Sequence, residues 1–149
     1  MAESTAPTFE VSEPIDVDLG GLRFSATFRA PAGATLRVSG SVDGELVEVL
    51  RFDDFVAQPH YHVPAAADAT MVDPDTDGAP LDVYLDLIGG HLAELLERSG
   101  FTDLLATVDV DAVRTHVDEI RRAMVDVVPD GWVRVPGRGL QRAAAAPRA

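Results

Sequence analysis

From Ile15 onward, apolar and polar residues alternate with a period of two. Ile15, Val17 and Leu19 alternate with Asp16 and Asp18; after Gly20-Gly21, the residues Leu22, Phe24, Ala26 and Phe28 alternate with Arg23, Ser25, Thr27 and Arg29. Such a period predicts half-buried β-strands. Pro31-Ala32-Gly33 supplies the next turn, and Leu36, Val38, Gly40 and Val42 then alternate with Thr35, Arg37, Ser39 and Ser41. Asp43-Gly44 predicts another tight hairpin, because both central residues of a type I′ turn need positive φ and Asp-Gly tolerates that well. The pattern therefore predicts a four-stranded antiparallel meander that ends with Glu45 to Phe52.

The fourth strand breaks the alternation, since Val47 and Val49 are apolar on one face while Leu46, Leu50 and Phe52 are apolar on the other. A two-residue Asp43-Gly44 loop sets Val42 opposite Glu45. Val47 and Val49 then continue the inner face, and Leu46, Leu50 and Phe52 point outward beside Arg37 and Ser39. Two accounts fit: a bulge or a covering loop that hides the second face, or a surface of Leu46, Leu50, Arg51 and Phe52 that docks a protein partner or a second copy of the chain.

The second half changes period. Leu81, Tyr84, Leu85, Ile88, Leu92, Leu95 and Leu96 recur at helical spacing after Pro80, and Ser99-Gly100 supplies a stop. Gly89-Gly90 weakens the middle by about 2 kcal/mol relative to alanine, so a kink or a close approach to the sheet is expected there. A short element from Phe101 to Val108 leads to Asp109, a candidate cap for a second helix with Val113, Val117, Ile120, Met124 and Val127 on one stripe. Trp132 to Val135 predicts a short edge strand. Two amphipathic helices over an apolar sheet face make an α+β two-layer sandwich. Residues 1–136 are expected to form that single domain, and residues 137–149 a disordered Arg/Ala-rich tail.

The chain has 149 residues, and 46% of them are apolar, so one core can be buried without disulfides. With no cysteine, thiol catalysis and cysteine zinc sites are excluded. No apolar run reaches the roughly 20 residues of a membrane span, and the first residues lack the basic start of a secretory signal, which leads to the expectation of a cytoplasmic protein. The net charge is −13, all twelve basic residues are arginine, and seventeen of the twenty-five acids are aspartate. So acidic a body repels phosphate backbones, which speaks against nucleic-acid binding. Neither a Gly-x-Ser-x-Gly elbow nor a phosphate loop is present.

Candidate chemistry falls in the connection between the halves. In Pro59-His60-Tyr61-His62, an extended backbone projects His60 and His62 to one side, the spacing with which two imidazoles of a strand hold one metal ion. Asp53, Asp54 or His91 are the candidate third ligands for a divalent first-row ion, with His91 also readable as a packing residue of its helix. Asp73-Pro74-Asp75-Thr76-Asp77-Gly78 matches the first half of a calcium loop, with Asp73, Asp75 and Asp77 as candidate ligands. Its second half fails, because Tyr84 stands where a bidentate Glu belongs, and a solvated turn at a helix start accounts for the same residues.

Arg51-Phe52-Asp53-Asp54-Phe55 followed by Pro59-His60-Tyr61-His62, with Asp73-Pro74 and a leucine-rich helix behind them, resembles a family of small uncharacterised bacterial proteins. The resemblance covers residues 45–100 and implies that Arg51, Asp53, His60 and His62 act as a unit; it supplies no substrate. Two functions follow from the residues. The first is a non-enzymatic protein-binding or regulatory module without a cofactor, docking a protein partner or itself through the fourth strand. The second is a metal-dependent hydrolase in which His60, His62 and Asp53 hold a divalent ion that activates water.

Overall fold

The computed structural model describes residues 11–135 and 137–143. Its sheet is set by turn chemistry: Gly20 and Gly21 have φ of 59° and 88°, and Asp43 and Gly44 have φ of 52° and 82°. These positive values give the tight hairpins whose twist matches that of the flanking strands. Strands β1 (Ile15–Leu19), β2 (Leu22–Arg29), β3 (Gly33–Val42) and β4 (Glu45–Phe55) follow as expected, with Leu19 opposite Leu22 and Val42 opposite Glu45. The meander does not stop there. After a turn at Gln58, whose φ is 53°, two short strands β5 (His60–His62) and β6 (Thr70–Met71) extend it to six antiparallel strands in chain order.

The outward placing of Leu50 and Phe52 is overturned. The β3–β4 register runs Val42 opposite Glu45 and Gly40 opposite Val47, then shifts between Val38 and Ser39 so that Val38 faces Leu50 and Leu36 faces Phe52. Val49 is the extra residue of a β-bulge. One inserted residue moves every later side chain to the other face, so Leu50 and Phe52 enter the core at 0% exposure. Of the proposed docking residues, Leu46, ahead of the bulge, is 60% exposed. Arg51 lies on the outer face, paired with Glu48 at 2.7 Å.

The inner face of the sheet is apolar, with Leu22, Phe24, Ala26, Phe28, Leu36 and Val38 buried beside Leu50 and Phe52. Helix α2 (Pro80–Arg98) buries Leu81, Tyr84, Leu85, Ile88, Leu92, Leu95 and Leu96, the stripe its sequence predicts. The kink expected from Gly89-Gly90 falls one residue on, at His91, with φ −135° and ψ 17°. Two short helices, α1 (Pro74–Asp77) and α3 (Thr102–Leu105), flank α2.

The second long helix is divided into α4 (Val110–Thr115) and α5 (Val117–Asp126) at His116, with φ −112°. Thr115 Oγ1 donates back to the Asp111 carbonyl at 2.8 Å, a bond that bends helices. Asp109 caps α4 by accepting from the Ala112 N–H at 3.1 Å. The Asp109 N–H donates to the Gly20 carbonyl at 2.9 Å, and a Cβ on Gly20 would lie 2.4 Å from the Asp109 carbonyl oxygen. The glycine thus permits both the turn and the approach of the helical layer.

Trp132–Val135 (β7) pairs with Gly139–Arg142 (β8) as a separate hairpin, so strand replaces the disorder expected after residue 137. The physical reason is Leu140, which is 1% exposed and joins the core. The end of the expected tail, 144–149, lies outside the described residues.

Candidate metal centre

The bulge also decides which aspartate reaches the outer face. Counting from Phe52 inward, Asp53 points out and Asp54 points in. Asp53 is directly opposite Thr35 on one side and His60 on the other, and Arg51 is opposite His62. Residues opposite one another share a face and stand with Cβ atoms about 4.5–5.5 Å apart. The strand register thus brings together residues up to 27 positions apart, Thr35 to His62, on the outer side of the sheet.

There the Nε2 atoms of His60 and His62 lie 3.0 Å and 3.6 Å from Oδ2 of Asp53. The three ligand atoms fall within 4.8 Å of one another, and no other converging group of three or more such side chains occurs among the described residues. The outer nitrogens are committed elsewhere. His60 Nδ1 is 2.7 Å from the Gln58 carbonyl oxygen, and His62 Nδ1 is 2.7 Å from that of Ala67. A carbonyl only accepts, so each Nδ1 carries a proton and each Nε2 of a neutral ring presents a lone pair. Three acceptor atoms then face one point, and only a positive charge, a proton or a metal ion, reconciles them.

The surroundings hold this geometry. Thr35 Oγ1 donates to Oδ1 of Asp53 at 2.8 Å and leaves Oδ2 for the centre. From the opposite side of the sheet, the Tyr84 hydroxyl of α2 lies 2.8 Å from the Asp53 carbonyl and 3.1 Å from the His60 carbonyl. It ties the strands that carry Asp53 and His60 together from beneath. Burial, together with the negative charge of Asp54 and Asp53, pushes the Tyr84 phenol far above its ordinary range, so it stays a donor. The His60 ring meets Phe55 edge-on with centroids 5.4 Å apart, and His62 edge-on at 5.1 Å. The side chain of Asp53 is 6% exposed, while those of His60 and His62 are 19% and 20% exposed.

The other expected ligands stand apart. Asp54 is 0% exposed on the inner face and pairs with Arg134 of β7, whose Nη2 also donates to the Met124 carbonyl at 3.1 Å. Oδ1 of Asp54 and Nε of Arg134 have no hydrogen-bond partner among the described residues. Burial raises the Asp54 carboxyl above its ordinary range against the opposing pull of Arg134. The side chain of His91 is 55% exposed and 3.6 Å from Glu94, so it neither packs in the core nor joins the centre.

The calcium-type segment closes as the one-turn helix α1. Asp73 caps it by accepting from Asp75 N–H at 3.0 Å, Asp77 accepts from Asp73 N–H at 2.9 Å, and Asp75 pairs with Arg138 at 2.6 Å. Its three carboxylates are engaged in separate bonds, and they form no converging group among the described residues.

Sequence reading misses Thr35, Phe55 and Tyr84. Thr35 carries only its outward parity, and Tyr84 carries only its place on the apolar stripe of α2; the contacts arise from register and layer packing. No helix of the described residues is long and apolar enough to cross a membrane. Comparison with curated proteins and with solved structures finds no match. The family model described as a domain of unknown function (DUF7700) matches residues 16–124, which span β1 to α5 and include every residue of the centre, and the chain belongs to that family.

Proposed function

We propose that this domain is a mononuclear divalent-metal protein with hydrolytic chemistry, in which His60, His62 and Asp53 hold one ion. The observation that carries the reading is the direction of the two imidazoles. Each gives its Nδ1 proton to a backbone carbonyl and turns Nε2 to the same carboxylate oxygen. Metal-bound histidines are oriented in this way, with the second nitrogen donating to a carbonyl or carboxylate. Zn²⁺ fits two imidazoles and a carboxylate, and sites with three protein ligands keep a fourth position for water or substrate. When bound there, the ion supplies Lewis acidity and lowers the pKa of the water beside it.

The protein's own residues supply the rest. Thr35 fixes the Asp53 carboxylate, Tyr84 clamps the two strands, and Phe55 shields one side of His60. His60 and His62 remain partly exposed, while Asp53 is buried. Burial of Leu50 and Phe52 removes most of the apolar surface on which a protein-docking role was expected.

Metal analysis of protein purified without an affinity tag tests the reading. Wild type is expected to carry or take up one equivalent of zinc, and His60→Ala/His62→Ala to take up none while keeping its circular dichroism. The zinc-loaded protein should hydrolyse a chromogenic ester faster than the double variant. A wild type that takes up no more metal than the variant overturns the proposal.

A further inference from the structure

On β3, β4 and β5 the row of side chains next to the centre is basic, and it continues through Ser25 of β2 to Asp16 of β1. Arg37 of β3 is directly opposite Arg51 of β4, and Arg51 is directly opposite His62 of β5. Two like charges in directly opposed positions destabilise a sheet. Among the described residues, Glu48 is the carboxylate that pairs with both: it accepts from Arg51 Nε at 2.7 Å and from Nη2 at 3.1 Å, and lies 3.8 Å from Arg37 Nε. The side chains of Arg37 and Arg51 remain 40% and 34% exposed. The row containing Asp53 and His60 is the next one on the same face, two residues along each strand, or about 6.5–7 Å. An ion held by Asp53 would leave this part of an otherwise acidic chain with an excess of positive charge.

Resting on the metal reading above, we infer that this face binds a phosphoryl group. One oxygen would sit at the ion's open position and the others on Arg37 and Arg51, whose guanidiniums are held by Glu48 until the anion arrives. Three cationic points suit three terminal oxygens, whereas a carboxylate has only two. Guanidinium forks match phosphate geometry. The negative body of the protein opposes long polyanions, so the ligand class is a small phosphomonoester.

The test is calorimetric titration of the zinc-loaded protein with inorganic phosphate, with acetate as the carboxylate arm. Phosphate is expected to bind saturably and more tightly than acetate. Arg37→Gln and Arg51→Gln should each weaken it about tenfold with zinc content unchanged. Glu48→Gln removes the competing carboxylate and should tighten phosphate binding several-fold, a gain that a damaged fold does not produce. Zinc uptake with phosphate binding that is absent, no tighter than acetate, or unaltered in all three variants overturns this inference and leaves the metal reading standing. Failure to take up zinc overturns both.

Discussion

Two backbone carbonyls, those of Gln58 and Ala67, decide what His60 and His62 can do, because they fix which nitrogen of each ring is left for the centre. Thr35 plays the same part for Asp53 by engaging Oδ1 alone. Such supporting bonds orient ligands, and their loss costs about 10–100-fold in metal affinity. Thr35→Val keeps the branched shape and removes the donor. Zinc affinity measured by competition with a chromophoric chelator is expected to fall by that factor, and stability by about 1–3 kcal/mol, because the buried Oδ1 of Asp53 loses its donor. An unchanged affinity would show that the carboxylate needs no such support.

The decisive element is β4, and the decisive feature in it is one residue. Without the bulge at Val49, Leu50, Phe52 and Asp54 would face solvent, and Asp53 would face the core. Alternation along the strand shows that both faces are apolar, and it cannot say where the register slips, because the slip is defined only against Ser39 and Val38 of β3. Leu46 and Leu50, both outward by simple alternation, therefore have opposite fates. Leu50→Asp is expected to abolish cooperative thermal unfolding, since it places a charge in the core. Leu46→Asp should leave stability within about 0.5 kcal/mol, as exposed substitutions do. Equal effects would remove the bulge from the account. The helical stripes are legible by contrast, because α2 buries its own period and needs no partner to define it.

At the scale of the molecule, the C-terminal hairpin is latched onto the sheet through Arg134, which reaches the buried Asp54, and through Leu140. Arg134→Ala leaves a buried carboxylate without its cation, which costs about 3–5 kcal/mol at neutral pH. Burial already raises Asp54, and loss of Arg134 removes an opposing influence, so the folded-state pKa of the variant rises further above the unfolded value. Between those two values the folded chain holds a proton that the unfolded chain has lost. The variant's stability therefore falls as pH rises through that window and recovers as pH falls. Urea denaturation of wild type and Arg134→Ala across that range is expected to show the difference narrowing on acidification. A difference independent of pH would mean that the loss is one of packing alone. The hairpin itself was only half legible: Trp132 to Val135 reads as a strand, but its partner is hidden in an arginine- and alanine-rich composition, where Leu140, the one large apolar residue, carries the signal.

By itself the sequence determined the period of each segment, and with it the meander, the stripe of α2, the cap at Asp109 and the common side of His60 and His62. All of these are local, because they depend on backbone geometry over a few residues. Tertiary structure decided which aspartate meets the imidazoles, which leucines are covered and which arginine neutralises Asp54. Those outcomes depend on register between strands and on the packing of one layer against another, quantities that no single segment contains.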